Sequence, residues 1–409
     1  MPEPPPPGAG PAVPDPAPAP VDPRVLMALI VGQLGLHAAM AGLRMATPLQ
    51  VLRLGAGAWT LGVLMSLFAA MPVLFALRAG RLADRFGYHR PVRLAVGLSL
   101  GGMVCALLST RTEGLATYGA LCVAASLTGV AANLGMLTIQ RTAGLAARDT
   151  TERMRVFSWL GVAPAFANVV GPVLAGLMID ASGFLGAYLL LMALPLATLA
   201  SARRVPALAR PPAAAGTVPA RAAWDLLRRP GMRRLLLINW LFSTCWDVHT
   251  FAVPILGHGR GFTASTIGFI LGTFTLAVTL VRLVVPALAH RIREGQVLRG
   301  AMLGSGLVFA LYPLAPSPWA MAGCAALLGL TLGVSQPIIM TTLHHLTPEG
   351  RHGQSLAMRS MAINASSTAM PLLFGALGTA VGAAALFWAV GGAIGAGAWL
   401  TRRFDAAAR

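Results

Sequence analysis

Apolar residues in this chain come in long blocks, and polar residues gather in short runs between them. From Val25 onward twelve such blocks can be drawn, at 25–46, 58–78, 92–110, 115–138, 157–179, 183–201, 235–256, 264–288, 298–314, 318–341, 357–378 and 382–401. Each is about 17–25 residues long, the length a helix needs to cross a bilayer's hydrocarbon core of roughly 30 Å. The pattern predicts an all-α membrane protein with twelve transmembrane helices. Residues 1–23 are almost wholly Pro, Ala and Gly. They lack the basic n-region and apolar h-region of a signal peptide, so they read as a disordered tail. The longest polar segment between blocks, 202–234, carries eight arginines together with Pro206, Pro211, Pro212 and Pro219. It divides six helices from six. The expected organisation is therefore a cytoplasmic tail over 1–23, a six-helix bundle over 24–201, a cytoplasmic linker over 202–234, a second six-helix bundle over 235–401 and a short cytoplasmic tail over 402–409.

Composition agrees with lipid as the solvent and partner. Charged residues make up 11% of the chain and hydrophobic ones 56%, where a soluble domain carries about 25% charged residues. The formal net charge of +18 would otherwise raise nucleic acid as a partner. The basic residues are all Arg, however, and sit in clusters between apolar blocks, which is the pattern of a topology signal. With both termini cytoplasmic, all but five of the 31 arginines fall on the inner side. Arg44, Arg53, Arg111 and Arg260 fall outside, and Arg282 lies within the eighth helix. This arrangement suits a multi-pass protein of a bacterial inner membrane, with no nucleic-acid partner.

The four cysteines, Cys105, Cys122, Cys245 and Cys324, stand singly in separate blocks, which indicates neither a zinc site nor a disulfide framework. His344, His345, Glu349 and His352 share one loop, but their spacing matches no ligand motif, and a wet loop accounts for them. No metal and no cofactor are expected.

The halves repeat one another. Shifting the second half back by 206 residues brings Pro254 onto Pro48, Gly261 onto Gly55, Thr266 onto Thr60 and Gly268 onto Gly62. At a shift of 199, Pro371-Leu-Leu-Phe-Gly375 falls on Pro172-Val-Leu-Ala-Gly176. Aligned Pro, Gly and Thr do not arise from apolar bias alone. Two pseudo-symmetric six-helix bundles suit a transporter that rocks about a midplane site.

Between the second and third blocks the chain reads Gly80-Arg-Leu-Ala-Asp84-Arg85-Phe-Gly87-Tyr-His-Arg90. This segment resembles the signature loop of the major facilitator superfamily, and it sits where that family has it. A weaker echo, Pro286-Ala-Leu-Ala-His290-Arg291, occupies the matching loop of the second half. The resemblance implies a loop that latches one of two alternating states. Gly80 and Gly87 allow a tight turn and close helix approach, and Asp84 meets a cation or a helix N-terminus across the interface between halves. Gly171-Pro172-Val-Leu-Ala175-Gly176 resembles the Gly-Pro motif of the antiporter branches, with Ser158, Ala167 and Ala175 where further glycines are expected. That implies proton-coupled export of a drug or metabolite. One departure stands against it: Ala125 occupies the place of the exporters' helix 4 arginine.

Ionisable groups inside spans are expensive, about 2.5–3.5 kcal/mol for a central Asp or Arg on the insertion scale, and so point to function. Helix 1 presents Gln33, His37 and Arg44 on one face. Helix 7 presents Asn239, Ser243, Trp246, Asp247 and Thr250 at similar increments, and the 206 shift maps Gln33 to Asn239, His37 to Ser243 and Arg44 to Thr250. These residues, with Arg282, are the candidate substrate and proton pathway. Asp247 is either a carrier of a coupling proton or cationic substrate group, or half of a structural ion pair. Arg282 is either cavity lining or a brace near the cytoplasmic gate. Asn133, Gln336 and Asn364 are further polar candidates. Asp180 reads as a solvated loop residue. Asn364-Ala-Ser366 fits the glycosylation pattern but lies inside a span, where it would stay unmodified.

The expected function is secondary active transport, with proton-coupled efflux of a small drug or metabolite leading and siderophore-like compounds within range. An importer or uniporter of a small metabolite stays open, and a membrane sensor or intramembrane enzyme is the remote alternative. No nucleotide-binding loop is present to drive transport. A monomer with a small-molecule substrate is expected.

Overall fold

The computed structural model describes residues 21–147, 150–206, 224–229, 231–288, 294–348 and 352–402. Most of the linker, most of both tails, His290, Arg291 and Glu349 lie outside them. Regular structure among the described residues is helical. The helices are α1 (Pro23–Arg53), α2 (Ala58–Phe86), α3 (His89–Ser109), α4 (Gly114–Ala146), α5 (Thr150–Ala202), α6 (Met232–Gly259), α7 (Ala264–Leu288), α8 (Glu294–Leu311), α9 (Pro318–Leu346) and α10 (His352–Gly397). Local chemistry sets several ends. Asp22 caps α1 by accepting from the Arg24 amide, and Ser317 caps α9 by accepting from the Ala320 amide, each followed by Pro at the first helical position.

Two helices are too long to be single spans. α5 has 53 residues, which unbroken would reach about 80 Å at 1.5 Å per residue. It breaks once, at Gly183, with φ 72° and ψ −173°. α10, of 46 residues, breaks at Gly382 with φ 81° and ψ 165°. These left-handed angles suit glycine and clash with a Cβ on other residues. The fifth and sixth predicted blocks thus lie either side of Gly183, and the eleventh and twelfth either side of Gly382. Among the described residues, nine helical segments are long and apolar enough to cross a membrane. α6, which carries Asn239, Asp247 and His249, is not one of them.

Helices α1 to α5 pack chiefly on one another, with α1 against α5 and α4 against α2 and α3. Helices α6 to α10 do the same, with α7 against α9 and α10 against α6 and α8. Two crossings join these groups, α2 on α10 and α5 on α7. Both are made through glycines that the internal repeat aligns. A Cβ placed on Gly268 of α7 would lie 2.5 Å from the Pro172 carbonyl oxygen, and one on Gly176 of α5 would lie 2.5 Å from that of Ala264. At the other crossing a Cβ on Gly62 would strike the Pro371 carbonyl, and one on Gly375 would lie 2.8 Å from that of Ala58. Such contacts are possible only where the side chain is a hydrogen atom. Both crossings lie toward the end that carries the turns at Gly55 and Gly261, called here the Gly55 end. The opposite end carries the turn at Gly87.

Asp180 is not the solvated loop residue the sequence suggested. From the last turn before Gly183 it accepts from the backbone N–H groups of Ala264, at 3.0 Å, and Ser265, at 2.7 Å. It thereby caps α7 across the α5–α7 crossing, with Arg53 3.9 Å away. The first turn of α7 exposes amides with no carbonyl partner in the helix, and a carboxylate satisfies two of them.

Candidate functional site

The polar faces of α1 and α6 meet at a cavity of about 560 Å³ between the two helix groups. From α1 it receives His37 and Arg44, and from α6 Asn239, Ser243, Trp246 and Asp247. α5 adds Asn168, α7 adds Thr275, Thr279 and Arg282, α9 adds Ser335 and Gln336, and α10 adds Ser367. Seven of the nine predicted pathway residues therefore share one chamber. Thr250 lies in a smaller adjoining pocket with Arg44 and Trp246, its hydroxyl bonded back to the carbonyls of Trp246 and Asp247. Gln33 is the exception. It is buried below the chamber's lining, and its Oε1 has no hydrogen-bond partner. Four residues before His37, it faces the same way but lies more than one turn nearer the Gly87 end.

Asp247 is buried, and both its oxygens are engaged from α10. Ser366 Oγ donates to Oδ2 at 2.7 Å and Ser367 Oγ to Oδ1 at 3.1 Å. Ser366 also lies 3.3 Å from Thr244 Oγ1. Asp247 is the single carboxylate among the described residues lining the cavity. It feels the charge of Arg44, yet no salt bridge joins them: the two salt bridges among the described residues are Arg53–Asp180 and Arg141–Asp84. The ion-pair alternative for Asp247 is thus not what the structure holds. Arg44 Nε and Nη2 are buried without an acceptor, as is Arg282 Nε. His37 Nε2 stands 3.5 Å from Asn168 Nδ2. His249, two residues after Asp247, points away and is buried between Tyr312, whose hydroxyl is 3.1 Å from Nε2, and the Phe274 ring.

Seven polar contributors are not among the sequence candidates: Asn168, Thr275, Thr279, Ser335, Ser366, Ser367 and Arg359. Asn168, Ser367 and the buried Ser366 are short polar residues in spans, indistinguishable in sequence from interhelical glue. Ser366 had stood out only as part of a glycosylation pattern. By sequence Arg359 falls with the cytoplasmic arginines, although it lies two residues inside the eleventh block. Its guanidinium donates to Asn239 Oδ1 at 3.0 Å and to Gln336 Oε1.

A chamber lined from both helix groups, over two glycine-lined crossings, is the geometry of a carrier. The family model for the Major Facilitator Superfamily matches residues 29–318 and 235–407. The chain belongs to the Major Facilitator Superfamily. It is accordingly a multi-pass membrane transporter and not an enzyme. Its curated relatives include the enterobactin exporter EntS of Escherichia coli O1:K1, 26% identical over 347 residues covering 83% of this chain and 80% of the relative. Among solved structures it is similar to a POT family transporter in complex with 5-aminolevulinic acid, with TM-score 0.75 and 14% identity over 94% of this chain and 96% of that one. It is also similar to a bacterial homologue of the iron transporter ferroportin in an inward-facing state, with TM-score 0.71 and 16% identity over 93% and 98%. At such identities the solved structures speak to the fold alone.

The superfamily's two motifs occupy different places in this structure. In the signature loop, Gly87 ends α2 with φ 66°, which is the tight turn expected of it. Gly80 makes no close approach, since a Cβ there would meet nothing within 4 Å. Asp84 is exposed and accepts from Arg141 Nε of α4 at 2.7 Å, within its own helix group rather than across the interface. Arg85 and Arg90 both lie over the Phe86 ring, at 5.2 Å. The Gly-Pro motif serves both kinds of contact. A Cβ on Gly171 would lie 2.5 Å from the Ala38 carbonyl of α1, while Pro172 and Gly176 face α7. Ala125 is buried at 0% exposure, so α4 brings no charge to the chamber at the place of the exporters' arginine.

Proposed function

We propose that this transporter exports a small organic molecule of siderophore-like class across a bacterial inner membrane in exchange for protons. On this reading the chain crosses the membrane twelve times, the two breaks at Gly183 and Gly382 turning α5 and α10 into two spans each. Spans 1–6 and 7–12 form pseudo-symmetric bundles over 24–201 and 235–401, joined by the linker 202–234. Both termini lie in the cytoplasm, the orientation that the distribution of arginine favours, and the working unit is a monomer without cofactor. The cavity between the bundles opens alternately to either side. The conformer described here is held together at the Gly55 end, and Asp84 would form its contact across the interface in the opposite state.

One observation carries the assignment of coupling: Asp247 is the cavity's single described carboxylate, and its oxygens are held by neutral serine hydroxyls of the neighbouring α10. A carboxylate free of a salt bridge can gain and lose a proton as access to the chamber alternates. A hydroxyl donates to its ionised form and can accept from its protonated form. The exporter named among the relatives supports the direction.

The test is a gene deletion complemented by the wild type or by Asp247→Asn, with metabolites profiled inside cells and in the medium. Export predicts a compound that is retained inside the deletion strain and released again by the wild-type gene. Asp247→Asn should reach the membrane and behave as the deletion. A compound left unused in the medium would establish import. Wild-type export by Asp247→Asn would remove Asp247 from proton coupling.

A further inference from the structure

The chamber's charges do not balance. Arg44 and Arg282 line it, and Arg359 bonds to two residues that line it, Asn239 and Gln336. Against three guanidinium groups stands one carboxylate, Asp247, whose oxygens are occupied by serine hydroxyls. Arg282 and Arg359 lie near enough for their like charges to repel, and among the described residues no carboxylate besides Asp247 lines the cavity. Two of these cations also keep buried N–H groups that meet no acceptor, at Nε and Nη2 of Arg44 and at Nε of Arg282.

Packing does not explain this arrangement. A guanidinium removed from water with donors unsatisfied destabilises the fold, and two together do so more. Cations inside a membrane protein are held where they meet an ion pathway or a charged substrate. The planar fork of Arg matches the two oxygens of a carboxylate and the oxygens of phosphate or sulfonate. The positions add a second constraint. Arg44 belongs to α1 and Arg282 to α7, so they approach the chamber from different helix groups. Trp246 and Phe242 add apolar wall to the chamber, and about 560 Å³ is room for a drug-sized body.

We propose that the chamber is an oxyanion site. It takes an organic molecule with two or more carboxylate, phosphate or sulfonate groups, one contacting Arg44 and another Arg282, while Arg359 adds to the field from behind Asn239 and Gln336. This deepens the transporter reading above and rests on it. A substrate bound at both arginines ties the two helix groups together and thereby couples its own presence to their movement.

The test uses three compounds on one scaffold with purified, detergent-solubilised protein: naphthalene-2,6-dicarboxylate, naphthalene-2,6-dimethanol and the corresponding bis(methylammonium) salt. The dicarboxylate is expected to raise the unfolding temperature of the wild type in a saturable way, and the neutral and cationic compounds are not. Arg44→Gln and Arg282→Gln are each expected to weaken the dicarboxylate's apparent affinity about tenfold, the loss of a charge-assisted contact. Without any compound, both variants should unfold at or above the wild-type temperature, because each removes a cation with unsatisfied donors. A structural brace would give the reverse. Equal or better stabilisation by the neutral or cationic compound, no stabilisation by any of the three, or wild-type affinity in both variants would each overturn the proposal. The assay is blind to direction, so an importer would pass it. Conversely, an exporter that fails it would still be identified by the deletion strain.

Discussion

Asp247 and Gln50 show what separates a site residue from a structural one in this protein. Both are buried polar groups bonded across helices. Gln50 accepts from Tyr188 at 2.6 Å and exchanges bonds with Ser109, all inside one helix group and away from any chamber. Its network is closed, so Tyr188→Phe is expected to cost about 1 kcal/mol of stability. Transport by that variant should match the wild type once protein amounts are normalised. Asp247 instead faces the cavity and depends on α10 for its donors. Removing both hydroxyls in Ser366→Ala/Ser367→Ala leaves the carboxylate without partners, at about 1–3 kcal/mol per lost bond to a charged group. The double variant is expected to reach the membrane and transport at least tenfold more slowly. A transport rate equal to wild type would mean that the serines merely fill space.

Among the elements, the two crossings are chemically unequal although the repeat makes them equivalent in position. Both rest on glycine against a proline-containing helix, Gly62 of α2 against α10 and Gly268 of α7 against α5. Only the α5–α7 crossing carries a carboxylate cap, Asp180; at the matching place Gly57 starts α2 with no side-chain bond. Asp180→Ala should therefore loosen the Gly55 end by the worth of a helix cap, roughly 0.5–2 kcal/mol. That should raise the rate at which a cysteine placed on Thr275 reacts with an external thiol reagent. Gly268→Leu puts a side chain where even a Cβ does not fit. It is expected to hold that end open and to give a larger rise than Asp180→Ala. If Gly268→Leu leaves Thr275→Cys protected, the crossing is not the closed gate.

At the level of the whole molecule, the outstanding prediction concerns orientation. Thr112, near the Gly55 end, and Arg90, at the Gly87 end, are both exposed. In a cysteine-free background a membrane-impermeant reagent applied to intact cells is expected to label Thr112→Cys and spare Arg90→Cys. The opposite result would invert the topology read from arginine and with it the proposed direction of the gates. The background matters because Cys105, Cys122 and Cys324 are only partly buried.

The sequence by itself determined the solvent, the helix content, the family and much of the lining of the chamber. Hydrophobic blocks of spanning length leave few alternatives to membrane helices, and a charge inside a block is too costly to be incidental, which is why Asp247, Arg44 and Arg282 could be picked out by position alone. Helical periodicity then brought their neighbours His37, Asn239, Ser243 and Trp246 onto the same faces. Tertiary structure decided the partners. That Asp247 would bond serines rather than an arginine, that Asp84 would pair with Arg141 inside its own half, and that Asp180 would cap a helix 84 residues further on are outcomes of how helices cross. Gln33 was misplaced for the same reason: periodicity fixes the side of a helix a residue faces, but not how far along the helix the chamber extends. The repeat did mark Gly62, Pro172, Gly176, Gly268, Pro371 and Gly375 as a set. Only the packed molecule gives the physical reason, which is that each crossing needs two backbones closer together than any side chain permits.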